Sequence, residues 1–239
     1  ATGLNGTRSP YGECRNSVHP DYPSGGSSAG SSLAVALGLA SFALGTDTAG
    51  SGRVPAALNN LVGLKASKGL ISTAGVVPAC RTLDCVSIFA LSCEDAATLT
   101  DIAASYDAED PYARPNTFYN RGRYFDTLAD TGQFRFGVPA ELDFQGDAET
   151  QALFEQSVQR LIALGGDPVS MDFEPFLETA RLLYEGPWVS ERWLATQDVD
   201  RASMLPVINT IISGAEGKTA AQAFAAQYRL ATLKRQCDT

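Results

Sequence analysis

The chain has 239 residues, is 44% hydrophobic and 19% charged, and carries a formal charge of −9; this suits a soluble globular protein of one or two domains. The acidic balance, with no basic stripe, argues against a nucleic-acid binder, and neither an apolar run of about 18 residues nor a secretory leader is visible. Five cysteines at 14, 80, 85, 93 and 237 and the single histidine, His19, fit neither a disulfide framework nor zinc spacing, so reduced thiols, a cytoplasmic protein and no metal or cofactor are expected.

Residues 1–24 are rich in proline and glycine and read as loop, with His19 a loop histidine between Val18 and Pro20. The stretch 22–65 then combines small residues and hydroxyls more densely than any other. Ser24, Ser27, Ser28, Ser31 and Ser32 alternate with Gly25, Gly26 and Gly30. An apolar run, 33–44, reads as part of a buried helix from Ser31 to Leu44, and a second polar turn, G-T-D-T-A-G-S-G-R, covers 45–53. Glycine lets a ligand approach the main chain, and successive N–H groups in such a turn can converge on an anion or a developing oxyanion. Taken singly, a Gly/Ser loop before a helix is also an ordinary cap with a flexible lead-in. The G-x-x-x-x-G-K-[ST] phosphate pattern is missing.

The pair G-G-S-S-A-G-S (25–31) and G-T-D-T-A-G-S-G-R-V-P (45–55) resembles the amidase signature family, which uses a Ser–Ser–Lys triad on an α/β/α fold; G-T-R-S-P-Y-G (6–12) resembles the segment leading into its serine loop. The resemblance implies an α/β protein, an α/β/α layered fold with a central mixed sheet, of which only part is present. Residues 1–239 would be the central part of one such domain, with the catalytic-lysine region upstream and the C-terminal remainder absent. It also implies Ser51 as nucleophile, Ser27 as the bridging serine held by a cis peptide bond, and the backbone N–H groups of Thr48, Ala49 and Gly50, on to Ser51, as the oxyanion hole.

Further along, 59–70 reads as a short apolar segment and a turn. Lys65 and Lys68 lie near Ser51 in sequence and enter as candidates for a Ser–Lys pair; the resemblance gives them a supporting role instead. After Leu83-Asp84, most members of the family have a Gly-Pro-rich version of the segment that here runs Cys85-Val-Ser-Ile-Phe-Ala-Leu-Ser92, with Cys80 upstream. This variant resembles allophanate hydrolases. As residues, Cys80 and Cys85 read as small buried side chains. An amphipathic helix is expected over 94–106, loop over 107–131, a strand at 134–139, and a helix capped by Asp147 and ended by Gly165-Gly166. Its apolar face would carry Leu153, Phe154, Val158, Leu161, Ile162 and Leu164. A second strand is expected at 167–171.

Pro175 suits a first helical turn, and Gly186-Pro187 should interrupt that helix. The break leaves room for Tyr184 and Arg192 to converge; by resemblance to allophanate hydrolases, both serve the substrate pocket. Read as residues alone, they are a half-buried tyrosine and a surface arginine paired with Glu185 or Glu191. A long helix from Thr219 is expected to carry Phe224, Tyr228 and Leu233 on its apolar side.

A Ser–His–Asp triad is nearly excluded by the single histidine, and no G-x-S-x-G elbow exists. The resemblance therefore implies hydrolysis of the terminal amide of allophanate in urea degradation, with a homodimer and a urea carboxylase as functional partner. Three alternatives remain: a general amidase, one component of a tRNA-dependent amidotransferase, and a non-catalytic scaffold lacking the lysine.

Overall fold

The computed structural model describes residues 3–9, 11–115 and 132–238; the part of the expected 107–131 loop from 116 onward lies outside them. By contact the chain divides into two units, Ala1–Arg121 with Val189–Glu216, and Gly122–Trp188 with Gly217–Thr239.

The first unit is built on a strand, β3 (Val86–Ala90), whose five residues are all buried. It lies between β1 (Ala43–Thr46) and β2 (Val62–Lys65) in an antiparallel sheet, so that Leu44 and Leu64 both stand opposite Ile88. Successive side chains of a strand face opposite ways. Val86 and Ile88 join Ala66, Ile71 and Ala104 on one face, where α3 (Cys93–Ala103) adds Leu99. Phe89 packs on the other face with Val35 of α1 (Ala29–Ala36) and Ala56 of α2 (Arg53–Leu58). A strand covered on both faces reads as an uncharged run, which Val-Ser-Ile-Phe-Ala is. The result is the expected helix–sheet–helix layering. Later in the chain, α6 (Val189–Ala195) and α7 (Pro206–Ser213) pack together and bury Val189 and Ile212.

The apolar run 33–44 does not form the single helix expected. The helix stops at Ala36, and Gly38 takes a positive φ of 71° while Leu39 and Ala40 donate back to the Ala34 carbonyl. This αL glycine reverses the chain, and Ala43–Thr46 then gain strand pairing with β3 in place of helical bonds.

The second unit contains β4 (Phe134–Pro139), α4 (Ala148–Ala163) and β5 (Gly166–Met171); the strands run parallel, with Phe134 opposite Gly166. A helical crossover is the usual link for a parallel pair. Asp147 caps α4 by accepting from Thr150 N at 3.0 Å. The apolar stripe of α4 is less covered than expected: no residue of the helix is fully buried, and Leu153, Leu161, Ile162 and the following Leu164 stand exposed. Pro175 occupies the first turn of α5 (Glu174–Arg181), which ends before Gly186-Pro187 as expected.

The last helix, α8 (Ala220–Cys237), starts with a reciprocal Thr219–Gln222 capping box. Arg229 on α8 reaches Glu178 on α5 through Nε at 2.6 Å. Its buried side chains are Ala226 and Leu233, whereas Phe224 and Tyr228 are exposed. The expected grouping fails on helical geometry: at 3.6 residues per turn, Phe224 and Leu233 lie about 180° apart. Among the described residues no helix is long and apolar enough to cross a membrane.

Asn59, at the end of α2, ties three segments of the first unit together. Its Oδ1 accepts from Ser17 N (2.9 Å) and Ser17 Oγ (2.8 Å), and its Nδ2 donates to the carbonyls of Ser24 (2.7 Å) and Pro55 (2.8 Å). Truncation would strand buried carbonyls, at about 1–3 kcal/mol for each unsatisfied group. Asn59→Ala is expected to lower unfolding free energy by at least about 2 kcal/mol in urea titrations; a change under about 0.5 kcal/mol would refute this bracing role.

Candidate active site

The serine loop lies directly against α2. A Cβ on Gly25 would sit 2.7 Å from Pro55 Cα, and the residue has a φ of 72°, so only glycine fits. The Gly26 N–H donates to the Leu4 carbonyl at 2.7 Å, and the Gly26–Ser27 peptide is cis, the geometry that the resemblance implies at this position. The Leu4 side chain in turn lies beside Gly50, so the N-terminal segment touches both polar turns.

Hydrogen bonding sorts the serines. Ser24 donates to Gly25 O, Ser28 to Thr46 O, Ser31 to Leu44 O and Ser32 to Pro55 O. These four hydroxyls tie backbone to backbone. Among the described residues, the hydroxyls of Ser27 and Ser51 have no protein partner. Ser27 is exposed, whereas Ser51 is only 3% exposed in its turn.

Asp47, which the sequence reading passed over, shapes that turn. Its carboxylate accepts from the N–H groups of Gly50 (2.7 Å), Gly52 (3.2 Å) and Arg53 (3.2 Å), and from Arg53 Nε (2.9 Å) and a terminal guanidinium nitrogen (3.1 Å). Burial by itself would push its carboxyl upward; the Arg53 guanidinium and then the Gly50 N–H outweigh that and hold its pKa below the ordinary value. Gly50, an expected oxyanion donor, therefore has its N–H committed to Asp47. Among the described residues the N–H groups of Thr48, Ala49 and Ser51 meet no protein acceptor. Gly52 permits the turn to press on the sheet, because a Cβ there would lie 2.4 Å from the side chain of Ser87 on β3.

A cavity of about 630 Å³ opens beside the serine loop. Ser27, Ser28 and Thr46 line one part, Arg8 and Arg192 supply cationic groups, and residues including Val76 and Ile212 form an apolar wall. Arg192 is 2% exposed, so it is not the surface arginine that the residues alone suggested; neighbouring Glu191 bonds Thr82 instead. Arg8 was missed as a candidate, although the G-T-R-S-P-Y-G segment that carries it stands out in the sequence. Tyr184 is 38% exposed and belongs to the second unit, whereas Arg192 belongs to the first.

The nearby lysines each bond a backbone carbonyl. Lys65 Nζ donates to Ala66 O at 2.9 Å and Lys68 Nζ to Thr82 O at 2.7 Å. His19 is an exposed loop residue against Tyr22. A smaller polar cavity of about 210 Å³ borders Arg81, Asp84 and Asp110, but it contains none of the candidate serines, and Asp110 bonds Thr73 N and Tyr112 N. Among the described residues no group of three or more His, Cys, Asp or Glu is placed to hold a metal ion.

The Amidase family pattern matches residues 1–236, and the chain belongs to that family. It is 44% identical to the urea amidolyase of Lachancea kluyveri over its whole length, and 36% identical to a glutamyl-tRNA(Gln) amidotransferase component of Endomicrobium trichonymphae over 77% of its length. It superposes on the solved allophanate hydrolase of Kluyveromyces lactis with a TM-score of 0.92 at 43% identity, all of this chain matching 39% of that one. The chain spans 13% of the length of the Lachancea relative and 38% of the Endomicrobium one.

Asp47 carries a pH signature. Its native carboxyl gives up its proton more readily than the unfolded chain does, so its stabilisation is complete above the unfolded value of about 3.9 and is lost as pH falls through the lower native value. Asp47→Asn is therefore expected to be less stable than wild type near neutrality, with the gap closing below about pH 4 in urea titrations; a gap that widens toward acid would contradict this origin.

Proposed function

We propose that this chain supplies the nucleophile and the carboxylate-binding arginine of an enzyme that hydrolyses the terminal amide of allophanate. The observation that carries the reading is the buried Arg192 guanidinium in the same cavity as Ser27. An arginine fork binds a carboxylate through two parallel hydrogen bonds, which a neutral amide cannot offer. Allophanate bears such a carboxylate beside its ureido group. The likeness to relatives named urea amidolyase and allophanate hydrolase supports the same choice.

In this mechanism Ser51 Oγ attacks the terminal amide carbonyl while Ser27 takes its proton and passes it to the neutral lysine that the family resemblance implies. The lysine returns the proton to the leaving nitrogen, and ammonia departs. Water then attacks the acyl-enzyme and regenerates Ser51, leaving a dicarboxylated nitrogen that decarboxylates. The N–H groups of Thr48 and Ala49, with that of Ser51, receive the oxyanion; Gly50 contributes by bonding Asp47 and fixing the turn. Loss of one oxyanion donor typically costs about 2.7–4 kcal/mol of barrier. A carboxylase acting on urea supplies the substrate.

The test is ammonia release by the full-length enzyme offered allophanate or a simple neutral amide. Ser51→Ala is expected to lower kcat on both by at least about a thousandfold. Arg192→Ala is expected to remove the preference for allophanate, a loss of about 2–5 kcal/mol in transition-state binding, with neutral-amide turnover largely kept. Equal loss on both substrates, or a wild-type enzyme indifferent to the carboxylate, would overturn the assignment.

A further inference from the structure

Residues 79–84 join two parts of the site that are far apart in sequence. At one end, Asp84 is 6% exposed, and its carboxylate accepts from the Thr48 hydroxyl at 2.6 Å, from Cys80 N at 3.1 Å and from Ala79 N at 2.9 Å. Thr48 is the first residue of the oxyanion turn. At the other end, the Glu191 carboxylate on α6 accepts from Thr82 N at 2.8 Å and from the Thr82 hydroxyl. Arg192 is the next residue on that helix. Between these ends the segment is closed on itself, since Leu83 N and Asp84 N both donate to Cys80 O, at 2.8 and 2.9 Å. The fully buried Cys80 thiol lies against Glu191.

We propose that Asp84 and Glu191 are positioning residues which, through the 79–84 loop, lock the oxyanion turn and the arginine-bearing helix into one register. This rests on the function proposed above. Asp84 touches no reacting atom; it fixes where the Thr48 and Ala49 N–H groups point. Glu191 fixes where the Arg192 fork lies. Neither carboxylate is an ion-pair partner of the arginine in this scheme, and each acts through neutral donors. The chemical consequence is that carboxylate recognition and oxyanion stabilisation share one rigid spacer. A substrate is then selected by the distance between its carboxylate and its amide carbonyl, as well as by its charge. Groups held within about 0.5 Å of productive geometry need support of this kind.

The two ends predict different kinetic signatures in the full-length enzyme. Asp84→Asn keeps the shape but sets an NH₂ group against one of the donors that the carboxylate now satisfies. It is expected to lower kcat about tenfold or more on both allophanate and a neutral amide, with KM changed less than about threefold. Thr82→Val removes the hydroxyl held by Glu191. It is expected to raise KM for allophanate about tenfold and leave neutral-amide kinetics near wild type, while Thr82→Ser, which retains the hydroxyl, restores the allophanate KM.

Thiol mapping gives a readout that needs no turnover. Maleimide labelling followed by peptide mass analysis should find Cys80 protected in wild type and Thr82→Ser, and modified at least about tenfold faster in Thr82→Val and Asp84→Asn. The proposal is overturned if Thr82→Val and Asp84→Asn only lower Tm, with kcat and KM moving together on both substrates and Cys80 still protected. Should the wild-type enzyme release ammonia from neither compound, the functional reading falls by itself. The labelling contrast then decides the linkage: protection unchanged across the variants rejects it, and exposure in both supports it.

Discussion

The arrangement depends on the carboxylate of Asp47. A buried charge costs several kcal/mol unless its lone pairs are met, and here the chain meets them by folding its own next six residues back around the charge. That closure is the turn. Because Asp47 N donates to Cys85 O at 2.8 Å, the turn is also referenced to the strand beside it. The Gly50 N–H is consumed in the process, and the N–H groups on either side of it are held in a fixed direction by a bond they do not make. For the proposed oxyanion site this matters, because preorganised donors need no reorganisation during reaction.

Serine hydroxyls act as fasteners around α1. Ser28 and Ser31 secure α1 to β1, and Ser32 secures it to α2. Such side chain–backbone bonds are individually modest, about 1 kcal/mol net, but they replace apolar packing in a region where small side chains bring backbones close. The helix thus rests near the sheet without bulky residues, and the space above the loop stays open. The same packing explains Gly52 against Ser87: any larger pair would push the turn off the strand.

Much of this was legible in the sequence, for definite reasons. The two glycine-and-serine turns, the cap at Asp147, the helix from Thr219 and the interruption at Gly186-Pro187 are local signals, and local signals survive into the structure. The end of α1 was not legible because 33–44 is apolar throughout, and periodicity cannot separate helix from strand in such a run; the deciding feature is the backbone of Gly38. Phe224 and Tyr228 were misplaced by grouping residues whose spacing does not return to one helical face. The burial of Arg192 and the bonds of Asp84 and Glu191 depend on contacts between segments, which a residue pattern alone does not reveal. Glycines at 50 and 52 announced a turn able to present donors; which donor Asp47 would claim could be seen only from coordinates.

The buried cysteine in the 79–84 loop has a consequence for redox chemistry. Burial, followed by the negative charge of Glu191, pushes the Cys80 thiol up to about 12, with Arg192 offsetting only part of the effect. Near neutral pH such a thiol stays almost wholly protonated, and it is the thiolate that attacks peroxides and disulfides. The thiol of the segment bearing Asp84 is accordingly a poor nucleophile, whereas Cys93 lies in the open at the start of α3. Oxidation at the exposed Cys93 would leave the buried Cys80, between the arginine and the turn, unmodified.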